Sequence, residues 1–135
     1  FERDAFAEQL RFYLDFFAAL PAIGYQLEQV RVQITDLEGE KHPRDLPGDI
    51  MAVLAEEFPR VEWVSDPERS AGRNYYSGLC FAIYATNRAG AEHFLVDGGF
   101  TKWTQKLLSN RKERLLISGI GSERLCAEFG VEGAA

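Results

Sequence analysis

Four short stretches of the chain hold the residue types that chemistry needs. In Gly119-Ile120-Gly121-Ser122-Glu123-Arg124 the glycines permit close backbone approach, and a helix starting after them would offer free amides to an anion, with Arg124 as a forked donor for phosphate or carboxylate. Spacing alone favours a plainer reading, a glycine turn followed by a solvated Glu-Arg pair. Gly98-Gly99, at the end of an apolar run, is open to the same two readings, a ligand approach or a tight turn. In Asn74-Tyr75-Tyr76-Ser77-Gly78-Leu79-Cys80-Phe81-Ala82 the Tyr76 face continues through Gly78, Cys80 and Ala82, small residues that leave room for a ligand or for a closely packed helix. The opposite face, Tyr75, Leu79, Phe81 and Ile83, reads as core. The turn holding Asp66, Glu68, Arg69 and Arg73 has the composition of a solvated charge cluster.

The remaining reactive types carry less. His42 and His93 have no metal-ligand neighbours and read as a loop and a strand-surface histidine. Cys80 and Cys126 read as inert buried thiols. No Ser/His/Asp set, P-loop or zinc pattern is present, so no residue is assigned a catalytic role by pattern.

These stretches need elements to position them. Phe6, Leu10, Tyr13, Leu14, Phe17 and Leu20 recur at helical spacing between Asp4, a candidate cap, and Pro21. Val30, Val32 and Ile34 alternate with polar residues as a strand does. Residues 38–48 read as an exposed loop, and Asp49 as the cap of a helix with the stripe Ile50, Val53, Leu54 and Phe58. A short strand is expected at 61–65, and a long one from Asn74 to Tyr84. The latter is paired through a polar loop with a strand ending at Asp97. A helix over 101–110, a charged turn to Arg114, a strand over 115–119, a helix carrying Leu125 and Phe129 and a frayed tail from Gly130 complete the expectation. Antiparallel strands flanked by helices make an α+β domain.

Composition sets the bounds. With 135 residues, 46% hydrophobic and 13% aromatic, the chain supports one core, and residues 1–135 read as a single domain. A net charge of -6, from 15 Lys and Arg against 21 Asp and Glu, argues against a dominant nucleic-acid surface and leaves a local basic patch open. No apolar run approaches the roughly 20 residues that cross a bilayer, and no signal-peptide order is present, so a cytoplasmic protein with no membrane partner is expected. The start at Phe1 reads as part of a longer protein.

Taken in order, Ala71-Gly72-Arg73-Asn74-Tyr75-Tyr76-Ser77-Gly78, Cys80-Phe81-Ala82, Gly98-Gly99-Phe100-Thr101-Lys102 and Gly119-Ile120-Gly121-Ser122-Glu123-Arg124-Leu125 resemble the later part of the class II aminoacyl-tRNA synthetase core, in its histidyl branch. There the corresponding stretches are Arg-Gly-Leu-Asp-Tyr-Tyr-Thr-Gly, Val-Phe-Glu, Gly-Gly-Arg-Tyr-Asp and the Gly-x-Gly-x-Glu-Arg-Leu of motif 3. The resemblance implies an antiparallel six-stranded class II sheet, incomplete in this chain, which in active members holds ATP and histidine on one face. It implies that Arg124 contacts ATP phosphates, that Tyr76 belongs to the histidine pocket, and that Gly78, Gly98, Gly99, Gly119 and Gly121 line the site.

The departures remove polar groups. The family's catalytic arginine is Ala71, the strand glutamate is Ala82, the acid before the tyrosine pair is Asn74, and the Arg-Tyr-Asp of the glycine turn is Phe100-Thr101-Lys102. Arg69 and Arg73 are the candidate substitutes for the missing arginine. Nothing resembles motif 1 or motif 2, and no anticodon-binding domain follows motif 3. Three readings stand. The favoured one is a non-aminoacylating paralogue resembling the regulatory subunit of ATP phosphoribosyltransferase in histidine biosynthesis. That reading implies a homo-oligomer or a heteromer with the catalytic phosphoribosyltransferase subunit, and histidine or another amino acid as ligand. The second is an active synthetase or related adenylate-forming ligase, which alone would imply ATP with Mg2+. The third is a degenerate core used for protein contact. No tRNA partner is expected for this chain alone.

Overall fold

A computed structural model describes residues 2–73, 75–101 and 115–131. Helix α1 spans Glu2–Ala19, and a 3-10 turn at Leu20–Ile23 follows it, closed by Gly24 at φ 91°. Strand β1 is Gln29–Asp36, helix α2 Leu46–Glu57, and strands β2, β3, β4 and β5 are Glu62–Ser65, Leu79–Thr86, Glu92–Thr101 and Leu115–Ile120. Helix α3, Ser122–Glu128, is the last helix among the described residues. The five strands form one sheet in the order β2-β1-β3-β4-β5. β1 and β2 run parallel, and every other pairing is antiparallel.

The sheet is two-faced because its strands alternate. On one face Val32, Ile34, Phe81, Ile83, Val96 and Phe100 are buried together with Phe6, Leu10, Leu14 and Phe17 of α1 and Ile50 and Leu54 of α2. Phe6 meets Phe81 edge-on at 5.4 Å and stacks on Phe100 at 6.4 Å. Aromatic pairs of this geometry add about 0.5–1.5 kcal/mol beyond the area they bury. A polar clamp fixes α1 against the far edge: the Ser118 hydroxyl of β5 lies 2.7 Å from Gln9 Nε2, which donates to it, and 2.7 Å from the Tyr13 hydroxyl. Helices α1 and α2 therefore cover one side, and among the described residues the other side of β1, β3, β4 and β5 carries open depressions.

Several expectations are corrected by local chemistry. β3 begins at Leu79 rather than Asn74, because Gly78 sits at φ 78° and turns the chain into the sheet. Tyr75, expected in the core, is exposed. The cap of α2 is Asp45, whose Oδ1 accepts from the Gly48 amide at 3.1 Å, and not Asp49. Val53 faces solvent instead of the α2 core stripe. α1 starts at Glu2, ahead of Asp4. Thr101 is the last residue of β4, not the start of a helix, and the rest of the helix and charged turn expected before Arg114 lies outside the described residues. Gly130 and Val131 are tied down rather than frayed, through a bridge to Tyr25 and a 2.7 Å bond from the Val131 amide to the Gly24 carbonyl. Cys126 is exposed, while Cys80 is buried as expected. Among the described residues no helix is long and apolar enough to cross a membrane, and no group of three His, Cys, Asp or Glu side chains could hold a metal ion.

Candidate ligand-binding face

Strand register lines up the uncovered face in rows. Gln33, Ala82, Asp97 and Gly119 are successive partners across β1, β3, β4 and β5. One row along are Arg31, Tyr84 and Phe94, and on the other side Thr35, Cys80, Gly99 and Ile117. Because side chains alternate along each strand, all of these share a face opposite the helices.

Asp97 stands at the centre. Its Oδ1 accepts from Arg69 Nη2 at 2.6 Å and its Oδ2 from the Tyr76 hydroxyl at 3.0 Å. Arg69 comes from the loop between β2 and β3, where Arg69 Nε donates to the Ala71 carbonyl at 2.9 Å and the guanidinium lies 5.6 Å from the Tyr76 ring centroid. The Arg69 side chain is only 9% exposed, against 36% for Asp97. The turn expected to be a solvated charge cluster therefore delivers one buried cation to the sheet. Burial, then the Asp97 carboxylate, raises the Tyr76 phenol well above its ordinary value, so it stays a neutral donor. Burial also pushes the Cys80 thiol up to about 11.

The residues singled out in the sequence fall into three groups. Tyr76 and Arg69 converge on Asp97, whereas Arg73 braces the loop, donating to the carbonyls of Arg69 at 2.6 Å and Pro67 at 3.3 Å. Of the glycines, Gly119 has open space above it, while Gly99 and Gly72 form a slot for Tyr76: a Cβ on them would lie 2.8 Å and 2.9 Å from the Tyr76 ring. Gly98 faces the other way, where a Cβ would meet the Phe81 ring at 2.5 Å, so its missing side chain makes room for the core. Gly78 serves the turn into β3. Gly121 precedes α3, its amide donating to the Leu95 carbonyl at 2.7 Å, and Arg124 Nη1 donates to the Phe94 carbonyl at 3.1 Å.

Three depressions share this face, and Asp97 lines all of them. The largest, about 590 Å³, runs from Phe94 and Asp97 to Gly119, Glu123 and Arg124. A second of about 470 Å³ lies between Tyr75, Tyr76 and Ile117. A third of about 320 Å³ sits over Ala82 between Gln33, Arg69, Tyr84, Phe94 and Asp97. Sequence reasoning missed Asp97. Its signal was a single carboxylate placed in an apolar strand immediately before two glycines, a costly position unless a cation meets it. The histidines lie elsewhere: His42 Nδ1 is 2.6 Å from Asp36 Oδ2, and the half-buried His93 packs edge-on against Phe129 at 5.7 Å.

No protein-family model matches the chain, and no curated protein matches it in sequence. Solved structures do match its fold. Apo histidyl-tRNA synthetase of Staphylococcus aureus is similar over 93% of this chain and 35% of its own, with a TM-score of 0.66 and 18% identity. A structure described as the RNA binding domain of threonyl-tRNA synthetase from Cryptosporidium parvum Iowa II is similar over 93% of this chain and 34% of its own, with a TM-score of 0.56 and 14% identity. The chain thus spans about a third of the length of these structures. Its α+β architecture, with a mostly antiparallel five-stranded sheet flanked by helices, is a class II aminoacyl-tRNA synthetase type of fold.

Proposed function

We propose that this chain is the later part of a histidyl-tRNA synthetase-like core that does not aminoacylate and that acts as an effector-responsive regulatory partner, resembling the regulatory subunit of ATP phosphoribosyltransferase. The observation that carries the proposal is the carboxylate of Asp97 at the meeting point of all three depressions, with the only buried arginine of the face, among the described residues, already spent on it. An adenylate-forming site must gather cations around a triphosphate as charge develops. A phosphate about 4 Å from Asp97 would instead meet repulsion on the order of 4 kcal/mol per unit charge at an effective dielectric near 20. Ala71 adds to this, since no guanidinium stands at the position that the family resemblance gives to its catalytic arginine. An effector with an ammonium group is attracted where the phosphate is repelled, which suits an amino-acid-type ligand and a heteromer with a catalytic phosphoribosyltransferase.

The test is ATP–pyrophosphate exchange with histidine by the full-length protein, together with co-purification with a short-form phosphoribosyltransferase. Absence of exchange and a stable complex are expected; robust exchange would sink the proposal. A second reading, an adenylate-forming ligase, draws on Arg124 beside the open Gly119. It requires MgATP binding that weakens on Arg124→Ala.

A further inference from the structure

Helix α1 carries a second apolar row besides the one it buries. Ala5, Gln9, Phe12, Phe16 and Ala19 follow one another at alternating steps of four and three, the spacing that keeps side chains in one line along a helix. Phe6, Leu10, Leu14 and Phe17 fill the core from a different side, whereas Phe12 is 62% exposed and Phe16 38%. The turn after α1 adds Ile23, 66% exposed, so this one segment holds three of the six large apolar side chains that stand exposed among the described residues. Each phenylalanine leans on the buried ring that follows it, Phe12 on Tyr13 at 5.5 Å and Phe16 on Phe17 at 5.8 Å. Apolar surface gathered in this way marks a place where another molecule docks.

The borders of the row define what that molecule is. Towards the sheet the row meets β5, an edge strand among the described residues. Gln9 and Tyr13 hold Ser118 there, and Leu116 and Ile120, two residues to either side of it, are only partly buried. A rod laid beside α1 would cover them. Away from the sheet runs a charged row, Asp4, Glu8, Arg11 and Asp15, at the same steps of four and three. Arg11 is bound to Glu8 at 2.7 Å and to Glu57 of α2 at 2.9 Å, and Asp4 has a long 3.7 Å contact with Arg3. Asp4, Glu8, Asp15 and Glu57 thus set four carboxylates against the two guanidiniums of Arg3 and Arg11. A row at this spacing is matched by knobs at the same spacing, which is another helix, and the surplus of negative charge is matched by Lys or Arg along that helix's flank. Two copies of this face would set like charges side by side, and an anionic bilayer would meet the same repulsion.

We propose that the outer face of α1, with the adjoining edge of β5, is a docking surface for an amphipathic helix of a protein partner, one with apolar residues at steps of three and four and Lys or Arg on the flank beside them. Phe12 and Phe16 enter the holes between its apolar side chains, and its basic flank meets Glu8 and Asp15. This surface lies across the sheet from Asp97, so it goes beyond the effector-responsive reading and does not rest on it.

Calorimetry on the full-length protein with three synthetic three-heptad peptides tests this: one with Leu at the seam and Lys on its flanks, one with Leu and Glu, and one of the first composition with the seam scrambled. The Lys-flanked peptide should bind, with the other two about tenfold weaker or more. Phe12→Ser and Phe16→Ser, both at exposed positions, should each weaken it about tenfold or more with unchanged circular dichroism, and Asp15→Asn about threefold. No binding of the Lys-flanked peptide, equal binding of the Glu-flanked or scrambled one, or binding indifferent to both phenylalanine variants would overturn the inference. Two further results would overturn it by assigning the face to another occupant. One is a dimer in sedimentation that Phe12→Ser dissolves, which gives it to a second copy; the other is flotation with phosphatidylcholine–phosphatidylglycerol vesicles that Phe12→Ser abolishes, which gives it to a membrane.

Discussion

Replacing Asp97 by asparagine removes one charge from the centre of the sheet face and keeps the shape of the side chain. Arg69 then loses a 2.6 Å bond to an anion, and the Tyr76 hydroxyl loses a 3.0 Å one. Hydrogen bonds to charged groups contribute about 1.5–3 kcal/mol each. The amide oxygen keeps one neutral acceptor for the two donors, and water reaches the partly exposed position, so the two losses do not add in full. A net loss of about 2 kcal/mol follows. For a domain of this size that is a fall in Tm of about 8 °C. Thermal unfolding followed by circular dichroism measures it, and the cycle closed with Arg69→Met isolates the pair. A coupling of about 1 kcal/mol or more between Asp97→Asn and Arg69→Met is expected. A change in Tm under about 2 °C, or additive single and double variants, would refute the reasoning.

Three further outcomes follow from the same geometry. Gly98→Ala drives a methyl into Phe81 at 2.5 Å and Ser118 Cβ at 2.9 Å, and should cost about 1–3 kcal/mol, whereas Gly119→Ala meets nothing within 4 Å and should stay within about 0.5 kcal/mol by denaturant unfolding. Of the chain's two thiols, a neutral-pH thiol reagent should label Cys126 in the native protein and both after denaturation. The Cys80 thiol titrates near 9.0 when unfolded and at about 11 when folded. The stability this represents is therefore complete below pH 9 and is lost as the pH rises to 11, by on the order of 2 kcal/mol. Cys80→Ala should flatten that part of a stability-against-pH profile.

Periodicity carries what depends on neighbours in sequence. The three-four spacing from Phe6 to Phe17 locates α1, and the alternation of Val30, Val32 and Ile34 locates β1, because each pattern is the imprint of one buried face. The α+β class follows from such patterns taken in order, whereas the class II type of sheet is what the resemblance of the motifs at 71–78, 98–102 and 119–125 implies. The start of β3 is less legible, since an apolar run reads as strand until a positive φ at Gly78 ends it. The paired glycines show a sharper limit. Gly98 and Gly99 are the same residue type on opposite faces, one making room for Phe81 and the other for Tyr76, and only the register tells them apart. The Arg69–Asp97 pair joins positions 28 residues apart through a loop with no periodicity, so composition suggested solvent where the fold supplies a buried partner. Arg69 and Arg73 were equivalent as candidates until the loop directed one to the sheet and the other to its own backbone carbonyls.

The central claim is that Asp97 and Arg69 together make this face a site for an ammonium and not for a phosphate. The most direct measurement is the arginine side-chain nitrogen spectrum of the full-length protein, with the Arg69 signal assigned by Asp97→Asn and followed, through its bond to Asp97, during titration first with MgATP and then with histidine. The expected result is an Arg69 resonance unmoved by MgATP and shifted, saturably, by the amino acid. An Arg69 resonance that shifts with MgATP and ignores the amino acid would contradict it.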